Sequence, residues 1–132
     1  MRSPEEILRE SRTIALVGAS PNPDKPSHGV MRYLLGQGYN VIPVRPLDCG
    51  EVLGVPCVPT LADVREPIDL VDVFRRPQHC AAHAREAVEA GAKALWLQLG
   101  IRSDDARRIA TEAGLDYVED ACTAIVHRHI ER

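Results

Sequence analysis

The first apolar run of the chain, ending at Val17, opens into "GASPNPDKPSHG", residues 18–29. The side chains of this loop can hold an anion. Gly18 lets the backbone come close to a ligand, followed by Ala19 and by Ser20 as a hydroxyl donor. Lys25 brings a mobile positive charge, and Ser27 begins a helix whose free N–H groups favour negative charge. Gly29 offers a second close approach from the helix side. The plainer reading of the same residues is a surface crossover with Ser27 as helix cap. Three more stretches carry comparable groups: Arg45-Pro46, Phe74-Arg75-Arg76-Pro77 and Gln98-Leu99-Gly100. Guanidinium groups suit phosphate through paired N–H donors. Phe74 can serve as an apolar wall for a base or as core.

The loop is not a dinucleotide fingerprint. G-x-G-x-x-G requires glycines where Ser20 and Pro23 stand. The end of the second apolar strand carries Arg45, where an NAD site has an acid for the ribose hydroxyls. An arginine there suits a phosphate on or near the ribose, which leaves NADP or coenzyme A and disfavours NAD. Other groupings are weaker. His79 and His83 share a helix face with Glu86 nearby, but no second cluster completes a metal site. His28 adjoins the loop without a partner identifiable from spacing, and His127 and His129 fall on different faces. No catalytic residue and no metal ligand is assigned.

These groups need elements to position them. "SPEEILRES" reads as a short helix capped by Ser3, with Pro4, Glu5 and Glu6 in its first turn. "TIALVGA" has the continuous apolarity of a strand buried on both faces. A helix over 28–38 buries Val30, Met31, Leu34 and Leu35. "NVIPVRP" is a second strand, which Pro43 places away from the centre of a sheet. Residues 47–64 are turn-rich, with a short strand and one helical turn after Thr60. "IDLVDVF", "KALWLQLG" and "LDYVED" are further strands. Helices follow over 76–91, with Cys80, Ala84, Ala87 and Val88 inward, and over 103–114, with Ala106, Ile109, Ala110 and Ala113 inward. A last helix covers 122–132. Trp96, mid-strand, reads as core. Alternating strands and helices predict an α/β fold: Rossmann-like, three layers, with a mostly parallel five-stranded sheet. In such sheets ligands lie beyond the carboxyl ends of the strands, where the four stretches above fall.

The 132 residues suit a single domain spanning 1–132, and 45% hydrophobic content can fill its core. A net charge of −3 provides no broad basic surface for nucleic acid. No apolar run approaches a membrane span, and "MRSPEEILRE" lacks a signal-peptide core. The expectation is a cytoplasmic protein. Its four cysteines, without a C-x-x-C, are expected to be reduced thiols.

"VGASPNPDKPSHGV", "VIPVRP", "VDVFRRP" and "LWLQLGI", in this order, resemble the small stand-alone CoA-binding proteins. These share the fold of the N-terminal CoA-binding domain of the succinyl-CoA synthetase α subunit. The resemblance spans about residues 4–130. It implies that Gly18, Ala19, Ser20 and Lys25 line the nucleotide and phosphates. It also implies that Val44, Arg45, Phe74 and Arg75 flank the adenosine end, with Gln98 and Gly100 near the pantetheine path. The chain departs from the family pattern in two places. Arg45 stands in the middle of a frequent V-N-P, and Asp120-Ala121-Cys122 stands for D-R-C. The phosphohistidine and ATP domains of the synthetases have no counterpart here. The resemblance therefore implies binding of coenzyme A or an acyl-CoA by a small non-catalytic protein: a carrier, sensor or partner subunit. The alternative is an NADP-dependent oxidoreductase or another nucleotide-binding Rossmann protein, and a third reading is an interaction module that kept the fold without the ligand.

Overall fold

The computed structural model describes residues 1–46 and 50–130; Cys49 and the end of the last expected helix, 131–132, lie outside the described residues. Helix α1 (Pro4–Glu10) starts with a complete capping box: Ser3 Oγ accepts from the Glu6 N–H while the Glu6 carboxylate accepts from the Ser3 N–H. Strand β1 (Thr13–Val17) is buried at every position, as its apolar run requires. Then come α2 (Pro26–Gly36), β2 (Asn40–Val44), the hairpin strands β3 (Glu51–Val52) and β4 (Val55–Pro56), and a 3-10 turn at Leu61–Asp63. The chain continues through β5 (Leu70–Val73), α3 (Pro77–Glu89), β6 (Ala94–Leu97), α4 (Asp104–Glu112), β7 (Asp116–Val118) and α5 (Thr123–Ile130).

Five strands form a parallel sheet in the order β2-β1-β5-β6-β7. This is a Rossmann-like α/β arrangement. Pro43 lies in β2, an edge strand, where its missing N–H spares the central ladder. Alternate residues feed two cores. Ala15, Val17, Val71, Val73, Leu95 and Leu97 pack against Cys80, Ala84 and Ala87 of α3 and Ala106 and Ala110 of α4. On the other face Ile14, Leu16, Leu70 and the fully buried Trp96 meet Ile7 and Leu8 of α1 and Met31 and Leu34 of α2. Trp96 is core, and its indole Nε1–H donates to the Ala121 carbonyl at 2.9 Å.

Several expectations need correcting at the element ends. Helix α2 begins at Pro26 with Lys25 as its N-cap residue, so Ser27 is inside the helix and not its cap. Ala113 is exposed, because α4 ends at Glu112 and Ala113 belongs to the turn. Val30, Leu35, Val88 and Ile109 are only partly buried. The stretch 47–64 holds two short paired strands rather than one. Cys57 is disulfide-bonded, against the expectation of four thiols, while Cys80 and Cys122 are free. No helix among the described residues is long and apolar enough to cross a membrane.

Candidate functional site

The strand order reverses between β1 and β5: the chain leaves β1 toward β2 on one side and returns to β5 on the other. The crossovers diverge at that point and leave a crevice above the strand ends. A cavity of about 890 Å³ occupies it. Gly18, Ala19, Ser20, Lys25, Arg45, Phe74, Arg75 and Gln98, eight of the residues singled out from the sequence, line it together. The other two do not. Val44 is buried at the end of β2 and borders a separate small cavity of about 110 Å³. Gly100 is exposed, and its N–H donates to Asp120 Oδ1 at 2.7 Å. That bond, with Arg102 Nη2 on Asp120 Oδ2 at 2.6 Å, ties the β6 exit to the β7 exit.

Gly18 serves packing as well as lining. Its φ is +88°, and a Cβ there would lie 2.5 Å from the Phe74 carbonyl oxygen. The exits of β1 and β5 can therefore touch only through a glycine. Gly29 faces open space and has no such constraint. In the loop, Ser20 Oγ accepts from the Asn22 N–H and Asn22 Oδ1 from the Asp24 N–H, two local turns that shape the approach to Lys25.

Two of the helices that start at this crevice, α2 and α3, differ from α1 and α4. Helices α2 and α3 begin with Lys25-Pro26 and Arg76-Pro77, a cation at N-cap and proline at the first helical position, and no side chain caps either. Helices α1 and α4, away from the cavity, are capped by Ser3 and Ser103. The uncapped ends leave backbone donors and the positive ends of two helix dipoles facing the cations. Sheet position then sorts the lining. Lys25, Arg45, Arg75 and Arg76 belong to the ends of β1, β2 and β5. The β6 and α5 side carries Gln98, Leu99, Ile101, Cys122 and Ile125 and no cation.

Below the uncharged side lies a group the sequence reading did not single out. Asp72 of β5 is fully buried. Its Oδ1 accepts from Gln98 Nε2 at 2.6 Å and its Oδ2 from Thr123 Oγ1 at 3.0 Å. Burial pushes its carboxyl up to about 7, and the two hydrogen bonds oppose the shift. The available signal was the second of two acids, Asp69 and Asp72, in the otherwise apolar "IDLVDVF": Asp72 falls inside the buried strand, Asp69 before it. Pro26, Val30, Ile101 and Ile125 also line the cavity without having been singled out, since an apolar residue beside a loop carries no mark of its face. His83 Nδ1 pairs with Glu86 Oε1 at 2.7 Å, His79 is exposed, and no cluster of three metal-ligating side chains occurs among the described residues.

The family model of the CoA-binding domain matches residues 12–128, from the start of β1 into α5. The chain belongs to the CoA-binding domain family. The uncharacterized protein YneT from Bacillus subtilis (strain 168) is 38% identical over 123 residues, covering 93% of this chain and 90% of that one. A hypothetical protein from Pyrococcus horikoshii OT3 superposes with a TM-score of 0.93 at 37% identity, covering 99% and 94% of the two chains. The fold also recurs in a dinucleotide-forming acetyl-coenzyme A synthetase 1 from Ca. Korarchaeum cryptofilum, with a TM-score of 0.73 and 26% identity. There 85% of this CoA-binding domain corresponds to 26% of the longer chain.

Proposed function

We propose that this protein binds coenzyme A or an acyl-CoA in the crevice between β1 and β5, as a carrier, sensor or partner subunit without chemistry of its own. The observation that carries the reading is the division of one cavity into a cationic and an uncharged side, in a member of the CoA-binding domain family. Coenzyme A is divided in the same way: its phosphates cluster on the adenosine half and its pantetheine arm is neutral. Lys25, Arg75 and the uncapped starts of α2 and α3 suit the diphosphate, and Arg45 suits the 3′-phosphate. A volume of about 890 Å³ suits a ligand of this size. The kinship with part of an acetyl-coenzyme A synthetase supports the same ligand class.

Calorimetric titration with CoA and with 3′-dephospho-CoA tests the reading. The expected result is saturable CoA binding, weakened at least about tenfold without the 3′-phosphate, the scale of one charge-assisted contact. Absence of CoA binding by the folded protein would overturn it. Arg45 equally suits the 2′-phosphate of NADP, so NADP belongs in the same series. Tight NADP binding without CoA binding would establish the oxidoreductase alternative.

A further inference from the structure

We propose that the side-chain carbonyl of Gln98 is a fixed acceptor that reads an N–H or O–H donor on the neutral arm of the ligand, and that Asp72 and Thr123 hold it in that orientation. The inference rests on the reading of the cavity as a coenzyme A site and assigns a specificity element within it.

The donors and acceptors around Gln98 fix its orientation. Gln98 is buried, lines the cavity and follows the last residue of β6. Its Nε2 has two hydrogens. One goes to Asp72 Oδ1 at 2.6 Å and the other to Thr123 Oγ1 at 3.0 Å. Thr123 donates its own hydroxyl hydrogen to Asp72 Oδ2 at 3.0 Å. Every hydrogen of the triad is therefore used within it. Turning the Gln98 amide over would set Oε1 against the carboxylate, acceptor to acceptor, so an ionised Asp72 dictates its orientation. Gln98 Oε1 has no hydrogen-bond partner among the described residues. It is not sealed either, because His28 Nδ1 is the buried side-chain polar atom without a partner among the described residues. Oε1 therefore meets the cavity that Gln98 lines. The triad presents the ligand with an acceptor and no donor.

That acceptor stands on the cavity's cation-free side, beside Leu99, Ile101 and Ile125. A phosphate or carbonyl oxygen finds no donor in it. An amide N–H or a hydroxyl does, and the pantetheine arm carries two amide N–H groups and one hydroxyl between its phosphate and its thiol.

The test compares CoA with adenosine 3′,5′-bisphosphate, which keeps the charged nucleotide end and lacks the arm. Both are titrated at pH 8, where Asp72 is ionised. Gln98→Leu should weaken CoA about tenfold, the scale of one hydrogen bond in a closed site, and leave the bisphosphate unchanged. The double variant Asp72→Leu, Thr123→Val removes both orienting acceptors and should give the same selective loss. Asp72→Asn can turn either its carbonyl or its amide to Gln98, so it no longer dictates the orientation and should give a smaller selective loss than the double variant. The bisphosphate is the folding control: a variant that binds it as tightly as the unaltered protein does is folded at the site. Equal losses for both ligands, or no loss of CoA affinity in Gln98→Leu, would overturn the assignment. If the unaltered protein bound neither ligand, the underlying reading would fall and this one with it.

Discussion

At the scale of single residues, the site depends on two kinds of side chain that act at different distances. Lys25 and Arg75 act by charge. Removing either by substitution with alanine should weaken CoA about tenfold, with the loss shrinking at high salt because screening already reduces it. Titrations at two ionic strengths check this. Gly18 acts by having no side chain. Gly18→Ala would put a Cβ 2.5 Å from the Phe74 carbonyl oxygen at a φ of +88°. It should lower stability by about 1–3 kcal/mol, seen as an earlier urea midpoint, with the damage centred on the β1 and β5 exits. The glycine was legible in the sequence as a position of close approach, but its neighbour was not. Spacing along the chain cannot reveal that residue 18 touches residue 74, since that contact exists only once β1 and β5 pair.

At the scale of elements, the positions of strands and helices were largely readable because apolar runs and caps are local. Ser3 and Ser103 act as caps in the structure as polar residues ahead of helical stretches should. Ser27 was misread for a physical reason: Lys25-Pro26 starts α2 two residues earlier, and proline at the first helical position needs no N–H partner. The two serines should therefore behave differently. Ser103→Ala removes the acceptor of the Ala106 N–H and should cost about 1 kcal/mol, whereas Ser27→Ala removes no cap and should leave the denaturation midpoint nearly unchanged. Comparable losses in the two variants would contradict the assigned start of α2. Val44 and Gly100 mark the same limit of local reading. Both sit at strand ends, yet which side of an end faces the crevice depends on the strand order, and that is not written in any one segment.

At the scale of the whole molecule, Asp72 links the site to stability. Its carboxyl titrates near 7 when folded, above the ordinary value of 3.8 that it regains on unfolding. Both states bind the proton below about pH 4. As pH rises, the unfolded chain ionises first, so the folded state loses stability through the interval up to about 7 and no further beyond it. Asp72→Leu should abolish that contribution. Its stability relative to the unaltered protein should increase from pH 4 to 7 and then stay level, measured by urea unfolding across pH 4 to 8; a constant difference would contradict the shift. The crevice between β1 and β5 is expected to receive coenzyme A. Amide NMR spectra recorded through a CoA titration test it most directly. The predicted result is saturable change concentrated at Gly18–Ser20, Lys25–Ser27, Phe74–Arg76 and Gln98–Leu99, with the β3–β4 hairpin and the C-terminal half of α4 unmoved. Saturable change centred anywhere else, or an unaltered spectrum at saturating CoA, would contradict it.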